Sequence, residues 1–367
     1  MAMTDRLTLF IGDLSIGGAE RVVVNLSKGF IDFGYDVDIV LVRKRGELLD
    51  EVPKQVDVVE LDVDRMRWCV PSLARYLRRT RPRAIISFMT SANTMALLAN
   101  QLGGSPSLTI ATEHNTQSMK ESLKPTIIRL LARFVYPLAD YIVGVSCGVS
   151  RDVTSWSKAD GANVHTIFNP VIEDSFIERE YKIPDHPWYG DDDVDVILSA
   201  GRHVEQKDFE TLIRAFAELS TTREARLVLA GEGECTHEYH EIADELGVSD
   251  KVSMPGFVDS IHRYMHHSDI FALSSRWEGL SLVLIEAMGC GTPVVSTDCP
   301  SGPAEVLENG KYGPLVPVGS HTELADAIGR TLENPISSNQ LRSRAQDFSI
   351  ESAMESYVSL LAGDDGL

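Results

Sequence analysis

Short apolar runs and helical spacings take turns along this chain. Residues 7–11, 37–42, 84–88, 108–111 and 141–145 are nearly all apolar. Runs without polar alternation predict strands buried on both faces. Residues 22–30 carry apolar positions at helical spacing, and helix-like stretches separate the later runs. A second series follows, with strands expected at 196–200, 227–230, 252–254, 270–273 and 294–296. Helices are expected at 209–219, 239–246, 282–288 and 350–361. Residues 172–195 interrupt the rhythm with Pro184, Pro187, Gly190 and Asp191-Asp192-Asp193, a composition that reads as a linker.

Strand alternating with helix predicts parallel sheets covered on both faces. The expected fold is α/β, with two doubly wound Rossmann-like domains facing across a cleft. The first covers residues 1–171, with the C-terminal helix 349–367 packing back on it. The linker is 172–195 and the second domain 196–348. Ligands of such sheets sit beyond the carboxyl ends of the strands, so the loops after the strands are where chemistry is sought.

A length of 367 residues suits two domains. No apolar run approaches the roughly 20 residues that span a bilayer, and residues 7–11 are too short for a signal-peptide core. A cytoplasmic location is therefore expected. Cys69, Cys147, Cys235, Cys290 and Cys299 show no paired spacing, which reads as reduced thiols. Charge is uneven: residues 1–171 hold 20 basic and 18 acidic side chains, whereas the remainder holds 14 and 36, a net of −22. Such an acidic half argues against a nucleic-acid partner.

Two segments of the second half carry candidate chemistry. Gly201-Arg202-His203-Val204-Glu205-Gln206-Lys207 follows the 196–200 strand. A planar guanidinium and a point-charge ammonium on one loop suit the two phosphates of a nucleoside diphosphate. Arg276-Trp277-Glu278-Gly279-Leu280-Ser281 then leads into an apolar helix bearing Glu286. On one straight helix the two carboxylates would lie about 12 Å apart, too far for a tight pair. With Ser281 as N-cap, Glu278 falls in the loop and Glu286 two turns in. One carboxylate per sugar ring fits that separation. The amides of Gly279, Leu280 and Ser281 point at the helix N-terminus, where phosphate is favoured.

These elements, in this order, resemble the retaining GT-B glycosyltransferases of family 4. Gly17-Gly18-Ala19-Glu20 looks like that family's glycine loop. Asn169-Pro170-Val171, Ala230-Gly231-Glu232-Gly233, Pro255-Gly256-Phe257, Gly291-Thr292-Pro293 and Gly302-Pro303-Ala304-Glu305 match further segments, so the resemblance covers nearly the whole chain. It implies that Arg202 and Lys207 bind the donor pyrophosphate, Glu278 the donor sugar and Glu286 the ribose hydroxyls. Gly17 and Gly18 would let backbone approach the donor, and backbone around Phe257 and Val258 would hold the base. His114 matches the active-site histidine of the first domain.

The implied reaction moves a sugar from a nucleotide-diphosphate sugar, expected to be UDP-linked, to a glycan or lipid-linked acceptor with retention. It needs no obligatory metal or other cofactor. A same-fold epimerase or hydrolase is the alternative, with His114 and Glu113 as candidates for a water base, and a silent nucleotide-sugar-binding protein is another. Asp36-Val37-Asp38, Asp62-Val63-Asp64 and Asp193-Val194-Asp195 resemble a metal-binding tripeptide of another glycosyltransferase fold, but read better as strand-edge or linker residues. Two basic segments suggest peripheral contact with an anionic membrane at its cytoplasmic face. One is Arg75, Arg78, Arg79, Arg81 and Arg83. The other is Lys124, Arg129 and Arg133 among Ile127, Ile128, Leu130, Leu131 and Phe134.

Overall fold

The computed structural model describes residues 5–104, 107–116, 127–177, 179–190 and 194–363. In chain order it opens with β1 (Arg6–Ile11), α1 (Gly18–Asp32), β2 (Asp36–Leu41), β3 (Asp57–Glu60), α2 (Val70–Thr80), β4 (Ala84–Phe88) and α3 (Thr90–Gly103). These are followed by β5 (Leu108–Glu113), α4 (Ile127–Val135), β6 (Tyr141–Gly144), α5 (Cys147–Trp156) and β7 (Val164–Thr166). After α6 (Asp174–Ile177) the alternation resumes with β8 (Asp195–Ala200), α7 (Phe209–Leu219), β9 (Ala225–Ala230), α8 (Thr236–Glu245), β10 (Val252–Gly256), α9 (Ile261–His266) and β11 (Ile270–Leu273). The rest is α10 (Leu282–Cys290), β12 (Val294–Thr297), α11 (Pro303–Val306), β13 (Leu315–Val316), α12 (His321–Glu333), α13 (Ser338–Ala345) and α14 (Ile350–Ala362).

Two compact units result. Unit 1 joins Met1–Val171 to Ile350–Leu367, and unit 2 is Ile172–Ser349. The sheet of unit 1 has the order β3-β2-β1-β4-β5-β6-β7 and that of unit 2 the order β10-β9-β8-β11-β12-β13. Every strand pairing within them is parallel. In each sheet the order turns back at one place, between β1 and β4 or between β8 and β11. Loops leaving neighbouring strands at that place diverge and open a crevice.

The central strands are apolar because helices cover both their faces. Leu198, Phe271, Val295 and Leu227 are fully buried in unit 2, as are Leu9 and Ile86 in unit 1. The strands that patterning does not predict, β3, β7 and β13, are all at sheet edges. Edge strands are short and half solvated, so their sequences (Asp-Val-Val-Glu, Val-His-Thr and Leu-Val) lack a long apolar run. Helices α11 to α13 lie in a stretch, 297–349, where no element is expected from the pattern.

Residues 172–195 differ from the expected linker. Their described part packs on unit 2: Phe176 sets its ring edge-on to His262, and Tyr189 is buried with its hydroxyl 2.9 Å from Ser268 Oγ. Aromatic side chains on either side of Pro184 and Pro187 cause this packing. Asp191-Asp192-Asp193 lies outside the described residues. In unit 1, α14 lies on α1, where Met354 and Ile350 fill the space that a Cβ on Gly29 would take.

Candidate functional site

The crevice of unit 2 is built by the loops after β8 and β11. Gly201 leaves β8 at φ +154°. Gly231, at the end of β9, sits so close beneath it that a Cβ there would lie 2.0 Å from the Gly201 carbonyl oxygen. With φ at +126° as well, the position accepts only glycine. The chain then makes a 3-10 turn at Glu205–Lys207. Three hydrogen bonds stitch this turn to the loop after β11. Arg276 N donates to Gln206 O at 2.8 Å, Gln206 Nε2 to Trp277 O at 2.8 Å, and Ser274 Oγ to Lys207 O at 2.8 Å.

The stitching brings Lys207 Nζ within 2.6 Å of Glu278 Oε1. Ser275 Oγ donates to the same oxygen at 2.7 Å. Both partners are withdrawn from water, with side chains 16% and 8% exposed. A pair so desolvated is held firmly only while both members are present. Arg202 is exposed and has no ion-pair partner among the described residues. Arg276, by contrast, is held by Asp208 at 3.2 Å and Glu205 at 3.5 Å, and serves the loop itself.

Ser281 occupies the N-cap position of α10 but makes no capping hydrogen bond, contrary to the sequence expectation. Its ψ of 95° brings the chain into the helix without the capping geometry. Its Oγ is buried without a partner among the described residues, at the end of a helix whose first amides have no acceptor within the helix. An acceptor-rich group placed there would satisfy both. Glu286 lies in the second turn, with its carboxylate 3.6 Å from His262 Nε2. Leu280 is buried. Phe257 and Val258 leave the carboxyl end of β10, and Phe257 is 62% exposed. Lys207 and Glu278 are thus joined directly, whereas Glu286 sits apart with His262. Neither Ser275 nor His262 carried a signal in the sequence.

In unit 1, Gly17 and Gly18 follow β1, at the turning point of that sheet. Gly17 has an extended φ of −170°, and a Cβ there would meet the Glu20 carboxylate, the tip of a long side chain, rather than backbone. The fold itself therefore does not demand glycine at 17. The structure extends β5 through Thr112 and Glu113, because these pair with Phe88 and Gly144. His114 comes next, 8% exposed. Burial holds its pKa down to about 4, so the ring is neutral at pH 7.

Glu113 turns inward, which removes it as a base for water. It accepts from Thr90 Oγ1 at 2.9 Å, Asn93 Nδ2 at 3.2 Å and the Tyr136 hydroxyl. Burial nonetheless pushes its pKa up to about 7. Unfolded, the group ionises near pH 4.5. Between these values the folded chain holds one more proton than the unfolded one, so stability falls as pH rises from about 4.5 to 7. Glu113→Gln is expected to flatten that part of the stability profile, as read by urea midpoints at pH 5, 6 and 7.

Of the Asp-x-Asp tripeptides, Asp36 and Asp38 open β2, where Asp38 accepts from Arg6 and Tyr76. Asp62 and Asp64 pair with Arg43 in the open. Among the described residues no three His, Cys, Asp or Glu side chains are grouped to hold a metal ion.

Two Rossmann-like sheets, each with its loops gathered at one turning point, define the GT-B fold. Known proteins agree. Residues 185–348 match the family Glycosyl transferases group 1, and residues 16–175 match Glycosyltransferase Family 4. One relative is the N-acetylgalactosamine-N,N'-diacetylbacillosaminyl-diphospho-undecaprenol 4-alpha-N-acetylgalactosaminyltransferase of Campylobacter jejuni. It is 28% identical over 94% of this chain and 95% of its own. Another, the amylovoran biosynthesis glycosyltransferase AmsD of Erwinia amylovora, is 26% identical over 83% and 84%. The solved structure of Anabaena HepE in complex with UDP and glucose superposes with a TM-score of 0.80 at 18% identity, covering 98% and 99%. The chain belongs to glycosyltransferase family 4 and is a glycosyltransferase.

Proposed function

We propose that this enzyme transfers a sugar from a UDP-sugar to a lipid-linked or polysaccharide acceptor, with retention at the anomeric carbon. The observation that carries this reading is the Lys207–Glu278 pair, held 2.6 Å apart beside the uncapped start of α10. Lys207 and Arg202 neutralise the charge that develops on the departing diphosphate. Glu278 accepts from hydroxyls of the donor sugar and Glu286 from those of the ribose. Gly279, Leu280 and Ser281 offer amides to phosphate, and backbone at Phe257 and Val258 meets the base. Gly17 and Gly18 let backbone approach the donor, and His114 lies beside a sugar hydroxyl. A diphosphate leaving group needs no strong acid, and its own oxygen takes the acceptor's proton on the side it leaves.

The UDP assignment is supported by HepE, which was solved with UDP and glucose. Acceptor class is supported by the C. jejuni relative, whose name specifies a diphospho-undecaprenol-linked sugar, and by AmsD of amylovoran biosynthesis. Thermal shifts with UDP-, GDP- and ADP-sugars are expected to be largest for a UDP-sugar. With acceptor present, transfer should survive EDTA, because two side-chain cations do the neutralising. Loss of transfer in EDTA overturns that assignment. Free sugar released equally fast without acceptor overturns transfer in favour of hydrolysis.

A second expectation concerns where the enzyme works. No helix among the described residues is long and apolar enough to cross a membrane. On α4, however, Ile127 is 88% exposed and Phe134 56%, with Leu130 and Leu131 also exposed. Only Ala132 and Val135 of that helix are buried. Lys158 sets its ammonium 4.5 Å from the centre of the Phe134 ring. Arg129 and Arg133 share the helix, whereas Lys124 lies outside the described residues. In the other basic segment, Arg78 and Arg83 already donate to backbone carbonyls, of Gly103 and Leu361. An apolar face ringed with cations suits an anionic bilayer surface. Vesicles rich in phosphatidylglycerol are expected to sediment the enzyme, and Leu130→Ser with Phe134→Ser to release it. Equal sedimentation of both proteins would refute the contact.

A further inference from the structure

We propose that Thr112 is a positioning residue for the reaction: it fixes His114 as the tautomer protonated on Nε2 and leaves Nδ1 as a hydrogen-bond acceptor for a sugar hydroxyl. This rests on the placement of His114 beside a sugar hydroxyl in the function proposed above.

The argument is one of proton counting. Thr112 Oγ1 lies 2.8 Å from the carbonyl oxygen of Ser87 and 3.2 Å from His114 Nε2. A carbonyl oxygen only accepts, so the single hydroxyl proton belongs to the shorter contact. The lengths agree, since 2.8 Å is usual for O–H···O and 3.2 Å is at the long end for N–H···O. With its proton committed, Oγ1 presents a lone pair to the ring. Nε2 must then carry hydrogen, and in a neutral imidazole the other nitrogen carries none. The ring stays neutral at pH 7, because burial opposes its charging.

Thr112 is itself held rigidly. Its carbonyl accepts from Met89 N at 3.0 Å and from Asn93 Nδ2 at 2.8 Å. Met89 adopts φ +78°, a left-handed conformation that costs a side-chain-bearing residue energy and persists only where its surroundings impose it. The Phe88 ring packs beside that of His114, with centroids 5.8 Å apart. The Thr112 hydroxyl, on Nε2, is the ring's one hydrogen-bond partner among the described residues. A hydroxyl that donates to Nδ1 is matched, whereas a group that only accepts meets lone pair with lone pair. The inference therefore selects sugars whose hydroxyl donates at this point and disfavours deoxy analogues there.

The test uses the full chain labelled with 15N-histidine and two-bond proton–nitrogen correlation at pH 7. The His114 signals are identified by their loss in His114→Gln, among ten histidines. The wild-type ring is expected to show the Nε2–H pattern. Thr112→Val should convert it to a mixture and lower kcat about three- to tenfold, the worth of one net hydrogen bond, with donor KM changed less. Thr112→Ser, which keeps the hydroxyl, should restore both. A wild-type ring protonated on Nδ1, or a valine variant that keeps the Nε2–H pattern, overturns the inference. Neither bears on whether the chain is a UDP-sugar transferase, which the donor and acceptor assays decide separately. A tautomer shift with unaltered kcat also overturns it, because His114 then plays no part in turnover.

Discussion

Lys207→Met is expected to lower turnover by about a hundred- to a thousandfold, the usual cost of deleting one aimed donor at a developing charge. Stability should fall too. Glu278, its side chain 8% exposed, would keep only the Ser275 hydroxyl among the described residues, and an uncompensated buried charge costs about 3 kcal/mol or more. The double variant Lys207→Met with Glu278→Gln separates the two effects. It removes the stranded charge, so the melting temperature should recover most of the loss. Turnover should stay low, because no cation has returned to the phosphates and the carboxylate that meets the donor sugar is gone as well. Full recovery of activity in the double variant would mean that Lys207 serves only to neutralise Glu278.

Gly231→Ala should have the largest effect on unit 2 through backbone alone. A Cβ there meets the Gly201 carbonyl at 2.0 Å, and φ +126° is strained for alanine. Strain of this kind costs about 1–3 kcal/mol, and the clash adds to it. A loss of about 3 kcal/mol corresponds to roughly 6–12 °C for a unit of this size. Gly247→Ala is the control: φ is +69° there, with nothing within 4 Å of the added carbon. It should cost about 1 kcal/mol, and the excess at Gly231 measures the clash together with its less tolerant φ. Calorimetry that finds the two equal would show that the Gly201 loop moves aside freely.

Much of this was legible in the chain because buried parallel strands have no polar face to disguise them. The run at Ala84–Phe88 and the helix Phe209–Leu219 come out with the bounds the pattern implies. Edge strands such as Val164–Thr166 escape, because half their environment is water and their composition says so. The spacing assigns Glu278 to a loop and Glu286 to a helix, and the structure has Glu278 ahead of α10 and Glu286 on it. Spacing alone is silent on what each one meets, so Ser275 and His262 went unseen. Ser281 does precede the helix, but a serine's presence does not say where its hydroxyl turns. Glu113 beside His114 illustrates the same limit: adjacent residues on a strand face opposite ways, so one carboxyl went to the interior.

The helix α14 belongs to unit 1 although all of unit 2 precedes it in the chain. Its Tyr357 ring meets that of Phe30 edge-on at 6.0 Å, and the Leu361 carbonyl takes a hydrogen bond from Arg83. During synthesis, the first 171 residues therefore leave the ribosome with the α14 side of α1 uncovered, and they wait for some 180 more before that face is closed. Unit 2, made of one uninterrupted stretch, is free to reach its native packing first, so the later-made half is the one that can mature earlier.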